Sequence, residues 1–330
     1  MSTPVLVADI GGTNARFALA HRSEHGIEVA PPAIYKTAEH ASFDDALQRF
    51  LTSSGSPALA GVAACAAGPV EGEARSARIG LTNFPWEVSV AALSRATGVA
   101  RPCLVNDFAA VALAVPALGP HDLHIIGQAL APVPQAPAGL LGAGTGLGMS
   151  AIVFGGGSEI PIAGEGGHAD LAANSGREAE VIAHLRALHG HVSAERVLSG
   201  PGLVALYDAL LALAGQPQCL ISPPEIALHA HRHEDEIAVE AVHLFCGFLG
   251  AVAGNLALTL GARGGIYIGG GIVPGWLMQH PGLFDEAHFR ARFEAKGRMS
   301  QWLSKVPAYV IRRNDTALLG LARIAFEASR

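Results

Sequence analysis

Basic residues are scarce in this chain of 330 residues, and lysine is the scarcest of them. Only 15% of the residues are charged, the formal net charge is −6, and the lysines are Lys36, Lys296 and Lys305. Lys and Arg are nowhere concentrated into a basic stripe, which argues against a nucleic-acid partner. An anionic small molecule needs no lysine, because backbone N–H groups and helix N-termini also bind anions.

Cysteine is sparse as well. The four cysteines, Cys65, Cys103, Cys219 and Cys246, lie far apart and form no C-x-x-C pair. The spacing therefore predicts neither a zinc site nor a disulfide framework, and we expect a cytoplasmic location. The N-terminal residues lead into an apolar run ending at Asp9 without the basic segment of a signal peptide, which favours a strand there.

The two common nucleotide-binding motifs are missing. No G-x-x-x-x-G-K-[ST] sequence occurs, which excludes a P-loop enzyme. The Gly-rich run at Gly142 has Leu147 where a dinucleotide-binding fingerprint requires its third glycine. Turns between strands remain as the predicted way to bind phosphate groups.

One stretch, residues 241–262, is long enough to span a bilayer and contains no charged side chain unless His243 is protonated. It also contains Gly247, Gly250 and Gly254, together with Asn255 and Thr259. A helix that is apolar on all sides is equally typical of the centre of a large protein. We predict a buried helix, with glycines that let neighbouring elements approach closely, and no membrane partner.

The order of the segments indicates an α/β protein. The length favours two domains, and strands alternate with helices in the first third of the chain. An apolar strand, a Gly-Thr turn and a second apolar strand occur at Val5–Ala20 and again at 139–154. We interpret this as a weak internal repeat whose two turns face one ligand between two lobes. Chance similarity of two Gly-rich hairpins is the alternative.

Most of the remaining segments have helical periodicity. We predict helices over 42–51, 88–96, 177–188, 201–213, 234–260, 289–296 and 316–327, and strands over 60–66, 101–105, 265–269 and 308–311.

The first turn, Gly11-Gly12-Thr13-Asn14, offers closely spaced N–H groups and a hydroxyl to phosphate oxygens. Asp9 enters this turn and is placed to hold Mg²⁺ directly or through water. The alternative is a plain tight hairpin, in which glycine supplies positive φ angles and Asp9 favours the turn.

Asn106 and Asp107 follow an apolar strand and precede a helical run. A carboxylate there projects from the carboxyl end of a strand, where α/β proteins usually bind ligands. Asp107 could accept the proton of an attacking hydroxyl group, as the catalytic Asp of kinases does. It could equally cap the following helix.

Two further acidic groups are candidates for binding a polyol. Glu165 and His168 lie among glycines in a G-E-G-G-H run, which is suited to close contact with hydroxyl groups but also compatible with a surface ion pair. Glu195 is harder to interpret, because it could instead pair with Arg196 or Arg177.

Two other segments have both a functional and a structural interpretation. The three histidines within residues 229–233 fit a solvated loop better than a metal site. Asn83 could line a sugar pocket, whereas Trp86 in the same segment is better explained as a core residue beside a proline turn.

Together these segments resemble the bacterial glucokinase family over nearly the whole chain. The matching motifs are D-I-G-G-T-N-A-R from Asp9, L-V-N-D-F from Leu104, G-A-G-T-G-L-G from Gly142, G-E-G-G-H-A-D from Gly164, G-H-V-S-A-E-R-V-L-S-G-P-G-L from Gly190 and G-G-G-I-V-P from Gly269. The fourteen residues from Gly190 are too long and unusual a match to arise by convergence. The related family of repressors and zinc-bearing sugar kinases has a Cys-rich cluster that this sequence lacks.

The resemblance implies ATP:D-glucose phosphotransfer, the first step of glucose use in glycolysis, with ATP and Mg²⁺. It implies Asp107 as catalytic base, and it implies glucose contacts from Asn106, Asp107, Glu165, His168 and Glu195. Asn83 is a further predicted glucose contact, from the pattern of its own segment. The nucleotide would contact Ala8, Asp9, Ile10, Gly11, Gly12, Thr13, Gly144, Thr145, Gly146 and Gly270.

The same resemblance implies a two-lobed ribonuclease H-like fold of the actin and hexokinase type, with a cleft between the lobes. Residues 1–117 and 309–330 would form the small lobe and 118–308 the large lobe, and the protein would be a homodimer. A non-catalytic sugar sensor on this fold stays open. So do other phosphate donors, namely polyphosphate or ADP, and other acceptors, namely mannose or an amino sugar.

Overall fold

The computed structural model describes residues 3–24, 26–81 and 84–329 and has an α/β fold with mixed sheets. The strands are β1 (Val5–Ile10), β2 (Asn14–Ser23), β3 (Gly26–Val29), β4 (Ala33–Lys36), β5 (Gly61–Ala66), β6 (Arg78–Gly80), β7 (Glu87–Ser89), β8 (Cys103–Asn106), β9 (Leu123–Ile125), β10 (Ala138–Ala143), β11 (Leu147–Gly155), β12 (Ser158–Gly164), β13 (Ile266–Gly270) and β14 (Ala308–Ile311).

The helices confirm the predicted segments, with ends shifted by a few residues, and add several that were not predicted. They are α1 (Phe43–Ser53), α2 (Val90–Thr97), α3 (Asp107–Ala114), α4 (Gly176–His189), α5 (Gly200–Leu213), α6 (Pro223–Arg232), α7 (Glu236–Leu260), α8 (Ile272–Gln279), α9 (Glu286–Glu294), α10 (Ser300–Leu303) and α11 (Thr316–Ala328).

The chain divides into two compact units. The first contains the chain up to Leu118, Glu159–Ala163 and the chain from Arg313 onward, and the second contains Gly119–Ser158 and Gly164–Arg312. Because β14 pairs in parallel with β13, it belongs to the second unit. The chain therefore returns to the first unit at Arg313 rather than at residue 309.

The two large sheets have the same topology. Their strand orders are β3-β2-β1-β5-β8 and β12-β11-β10-β13-β14, with β4 and β9 as additions. In each sheet an antiparallel hairpin, β1-β2 or β10-β11, is followed by a parallel neighbour of its first strand. Both predicted Gly-Thr hairpins are thus confirmed, and the repeat extends to the strands that follow them.

Both faces of the first sheet are covered. Phe17 of β2 stacks on Phe43 and Phe50 of α1, and all three rings are buried. Helices α3 and α11 cover the other face, where a Cβ at Gly320 would lie only 1.9 Å from the Ala110 carbonyl oxygen. Glycine at this position allows α11 to pack directly on the backbone of α3.

Helix α7 contains the long apolar stretch. Among the described residues it is the one helix long and apolar enough to cross a membrane, and 72% of its most apolar window is buried inside the protein. Gly250 and Gly254 face α9, where a Cβ would lie 2.2 Å from the Phe289 carbonyl oxygen and 2.4 Å from that of Phe293. The predicted buried helix with close glycine contacts is confirmed.

The histidine segment is not a loop. Residues up to Arg232 belong to α6, which begins with a capping box between Ser222 and Glu225, and His233 ends it in the left-handed region at φ 53°. The interpretation of 229–233 as a solvated loop is therefore wrong, because the strong N-terminal cap extends the helix to this point. Among the described residues, no group of three or more His, Cys, Asp or Glu side chains is arranged to hold a metal ion.

Candidate active site

The buried residue Thr37 supports the first turn by hydrogen bonds to its backbone. The Thr37 N–H donates to the Thr13 carbonyl oxygen at 3.0 Å, and the Thr37 hydroxyl donates to the Gly12 carbonyl oxygen at 2.7 Å. The Gly11 N–H closes the turn onto the Asn14 carbonyl at 2.9 Å. Because a trans peptide directs its N–H opposite to its C=O, the Thr13 N–H points away from Thr37. The turn therefore presents an N–H group together with the exposed Thr13 side chain.

The residues before the turn differ in their surroundings. Ala8 and Ile10 are completely buried within β1, so only their backbone is available to a ligand. Asp9 is directed to the other face, where it accepts from Arg16 Nη1 at 3.4 Å through Oδ2 and from Cys65 Sγ at 3.5 Å through Oδ1. Burial raises the pKa of Asp9, although Arg16 and Cys65 oppose that shift.

The thiol of Cys65 is influenced by both acidic candidate residues of this unit, Asp9 and Asp107. Cys65 is the register partner of Asp9 in β1, and burial, followed by the carboxylates of Asp9 and Asp107, raises its thiol pKa well above the usual value. The thiol therefore stays protonated and can donate to Asp9. The carboxylates of both Asp9 and Asp107 thus act on one buried thiol.

Asn106 and Asp107 occupy the junction between β8 and α3. Asn106 is the N-cap residue: its Oδ1 accepts from the N–H groups of Phe108 at 2.9 Å and Ala109 at 3.4 Å. Its Nδ2 donates to the Gly68 carbonyl at 3.2 Å. Asp107 is the first helical residue, and its Oδ1 also accepts from the Phe108 N–H, at 2.9 Å. The cap is Asn106, so helix capping does not by itself account for Asp107.

The second turn, in the second unit, is closed by a hydrogen bond from the Gly144 N–H to the Gly146 carbonyl at 2.8 Å, with the Thr145 side chain exposed at its tip. The Gly200 N–H at the start of α5 donates to the Gly144 carbonyl at 2.8 Å. Gly270, at the end of the neighbouring strand, has φ 78°, and a Cβ there would lie 2.3 Å from the Ala143 carbonyl oxygen. Only glycine fits that position.

The three predicted sugar-binding residues of this unit lie together. His168 Nε2 is 3.8 Å from Glu165 Oε2, and His168 Nδ1 is 3.8 Å from Glu195 Oε1. The side chains of Glu165 and His168 are mostly exposed, whereas that of Glu195 is 33% exposed. Glu195 also accepts from the Leu147 N–H at 2.8 Å.

Arg177 was considered as an ion-pair partner of Glu195, and this pairing is wrong. Arg177 instead donates to Glu240 at 2.7 Å and to Glu180 at 3.0 Å. Glu195 accepts from the backbone N–H of Leu147 and not from an arginine. No sequence pattern predicts a contact between two residues that are 48 positions apart in the chain.

Asn83 lies outside the described residues, and Trp86 is buried in the core as predicted. Sequence reasoning missed Thr37 and Cys65, which support the first turn and Asp9 from elsewhere in the chain. No local signal identifies them, since each is an ordinary strand or turn residue until the sheet is assembled.

The comparisons with known proteins agree over the full length. A family model described as Glucokinase matches residues 6–328. The Glucokinase of Aromatoleum aromaticum is 45% identical over 323 residues, which cover 97% of this chain and 93% of that protein. The crystal structure of a glucokinase from an Antarctic psychrotroph has a TM-score of 0.89 at 33% identity and covers 99% of this chain and 100% of that one.

A more distant structure shares the fold. The ROK family glucokinase from Streptomyces griseus, in complex with glucose and AMPPNP, has a TM-score of 0.62 at 18% identity and covers 98% of this chain and 99% of that one. The family resemblance predicted from the motifs is confirmed by the family model and by the relatives of high identity. The chain belongs to the glucokinase family.

Proposed function

We propose that this protein is an ATP-dependent glucokinase, which transfers the γ-phosphoryl group of ATP to the 6-hydroxyl of D-glucose. The observation that carries the proposal is the position of Asp107, an acidic residue at the carboxyl end of β8 in the same sheet as the Asp9 turn. Membership of the glucokinase family supports the same reaction. The product, glucose 6-phosphate, makes this the first step of glucose use in glycolysis.

In this proposal Asp107 accepts the proton of the sugar 6-hydroxyl as that oxygen attacks the γ-phosphorus. Asn106, Glu165, His168, Glu195 and Asn83 bind the other hydroxyl groups and orient the acceptor. The two turns donate N–H groups to the phosphate oxygens, and Gly270 lies beside the adenosine. Positioning and charge stabilisation then supply most of the rate, as is general for phosphoryl transfer.

Asp9 fits the proposed Mg²⁺. A carboxylate oxygen is the ligand type that Mg²⁺ prefers, and the raised pKa of Asp9 indicates a carboxylate that burial leaves short of compensating charge. One protein carboxylate is enough, because Mg²⁺ usually retains several waters and also binds substrate phosphates. When bound, the ion would offset the negative charge of the phosphates.

The reaction further requires that the two units act as lobes on either side of a cleft and close around the sugar, which keeps water from the γ-phosphate. We also propose that the protein is a cytoplasmic homodimer, on the basis of the family resemblance. Scattering with and without glucose tests closure: compaction supports it, and an unchanged radius of gyration contradicts it.

A donor and acceptor panel on the purified protein tests the function. Formation of the sugar phosphate is measured with glucose, mannose and glucosamine as acceptors, and with ATP, ADP and polyphosphate as donors. We expect ATP with glucose to give the highest kcat/KM. Binding of glucose without ADP release would contradict the proposal and identify a sensor, and preference for another pair would correct the substrate.

A further inference from the structure

Glu165, His168 and Glu195, which lie together in the second unit, are called the sugar group below. We propose that Glu195 is a positioning residue that couples this sugar group to the second phosphate turn, so that acceptor sugar and nucleotide strengthen each other's binding. This inference rests on the proposed function and concerns a link inside the second unit. The carboxylate of Glu195 also holds the backbone of the turn, because it accepts from the Leu147 N–H.

One carboxylate oxygen of Glu195 belongs to the turn. Oε2 accepts from the N–H of Leu147 at 2.8 Å, and Leu147 directly follows Gly146, whose carbonyl closes the turn onto Gly144. A Cβ on Gly146 would lie 2.5 Å from the same Oε2. Carboxylate and turn are therefore in direct contact, so a change in the orientation of the carboxylate affects the turn.

The other carboxylate oxygen belongs to the sugar group. Oε1 is 3.8 Å from His168 Nδ1, and His168 Nε2 is 3.8 Å from Glu165. With one third of the Glu195 side chain exposed, a ligand hydroxyl can reach Oε1. A sugar hydroxyl that donates to Oε1 would hold the carboxylate in the orientation in which Oε2 binds the turn.

The backbone of Glu195 is fixed at both ends. Its N–H donates to the Gly167 carbonyl at 2.8 Å, and its carbonyl accepts from the Ser199 hydroxyl at 2.9 Å. At the residue directly after Ser199, the Gly200 N–H donates to the Gly144 carbonyl at 2.8 Å, which brings the same loop back to the turn. The side chain is thus the movable part, and a ligand on one oxygen restricts the other.

Thermodynamic linkage makes the effect measurable from either side. If glucose tightens nucleotide binding by a given factor, nucleotide must tighten glucose binding by the same factor. Isothermal titration calorimetry with AMPPNP and Mg²⁺, with and without saturating glucose, gives the first factor, and the reverse titration gives the second. For the unmodified protein we expect a factor of about 5 or more in both directions.

Two substitutions at Glu195 separate its roles. Glu195→Asp keeps the charge, but its shorter side chain cannot span from the sugar group to the Leu147 N–H, and we expect the factor to fall to about one. Glu195→Gln keeps the length and an oxygen that can accept the N–H, so most of the factor should be retained although glucose itself binds less tightly. If Glu195→Asp retains the full factor, the proposal is wrong.

A pair of glycine substitutions tests the link from the turn. Gly146→Ala changes no sugar-binding side chain, but its methyl displaces Oε2, so glucose binding without nucleotide should weaken by about fivefold or more. Gly155→Ala in β11 is the matched control, since a Cβ there would have no neighbour within 4 Å, and its glucose Kd should stay within about twofold of the unmodified value. Equal glucose affinities in the two variants would overturn the inference.

Circular dichroism melts establish which variants are folded, and the Glu195→Asp and Gly146→Ala arms are independent of each other. A purely structural role for Glu195 would lower Tm and leave the coupling factor unchanged. If the unmodified protein phosphorylates glucose yet binds AMPPNP equally with and without sugar, the coupling is refuted and the proposed function stands. Absence of both glucose binding and turnover would refute the function and the coupling with it.

Discussion

Replacing Asp107 with asparagine removes the proposed catalytic base and leaves its local structure intact. The Asp107 Oδ1 accepts from the Phe108 N–H, and an asparagine carbonyl can do the same. The cap of α3 is provided by Asn106, which the substitution does not touch. We therefore expect the free energy of unfolding to change by less than about 0.5 kcal/mol.

The expected effect on catalysis is far larger. A general base contributes roughly 10²–10⁴ to the rate, which corresponds to about 2.7–5.4 kcal/mol in the barrier. Because the lost interaction develops as the proton leaves the hydroxyl, kcat should fall by that factor and the KM for glucose should change much less. A coupled assay of ADP release, with a thermal melt of the same sample, measures both quantities.

Asn106→Ala is the matched comparison at the neighbouring position. It keeps the carboxylate of Asp107 but removes the N-cap hydrogen bonds, so the protein should lose about 1 kcal/mol of stability while kcat falls less than in Asp107→Asn. A kcat of Asp107→Asn within tenfold of the unmodified enzyme, at an unchanged Tm, would refute the assignment of Asp107 as base.

Further substitutions test the packing and the charges. Gly320→Ala should cost about 1–3 kcal/mol by urea unfolding, because its methyl meets a carbonyl of α3, whereas Gly275→Ala, with no neighbour within 4 Å, should stabilise α8 by up to about 1 kcal/mol. Asp208 has a buried carboxyl oxygen without a hydrogen-bond partner among the described residues, and burial raises its pKa. The ionised form is thus disfavoured in the folded state, so Asp208→Asn should gain about 1 kcal/mol at pH 7, and melts should show the gain vanishing as the pH falls to about 4. Arg292→Met leaves Glu178, which is 3% exposed, without its partner at 2.7 Å and should cost about 3–5 kcal/mol, most of which the double variant with Glu178→Gln should recover. Equal stability of the single and double variants would contradict that account.

Local patterns were sufficient for most of the elements. Ser42 caps α1 as its position before an amphipathic run predicts, with its hydroxyl accepting from the Asp45 N–H at 3.2 Å. The glycines of α7 were correctly assigned to close helix contacts, because they lie in the part of the helix after Glu240, which has no Asp, Glu, Lys or Arg and was expected to be buried. Both signals depend on residues only a few positions apart, which a single sequence displays directly.

Features that depend on distant partners could not be predicted in this way. The sequence suggested an arginine for Glu195, but the folded chain supplies the Leu147 N–H, 48 positions away. Thr37 and Cys65 are further cases, since their contacts with the first turn and with Asp9 exist only after β4 and β5 have joined the sheet. Helix α6 was missed for another reason: its histidine-rich end suggested a loop, and the capping box at Ser222 outweighed it.

The two hairpins have the same place in their sheets but not the same charges. In the first hairpin, Asp9 and Arg16 form the cross-strand pair that is second from the turn. The equivalent pair in the second is Gly142 with Gly148, which carry no charge. The carboxylate beside the second turn comes from Glu195, on a loop outside the hairpin.

This difference gives the two turns different properties. The charge of Asp9 is held in place by strand pairing and by its hydrogen bonds, so it is present whatever ligand is bound. The charge of Glu195 is on a side chain that the proposed coupling also assigns to the sugar, so we expect its orientation to depend on whether a sugar is present. We therefore expect the first turn to bind the nucleotide phosphates whether or not the acceptor sugar is bound. The second turn should bind them at full strength only when the acceptor sugar is bound. Because the second turn would bind the phosphates at full strength only when a sugar is present, the two hairpins together would favour phosphoryl transfer to the sugar over transfer to water.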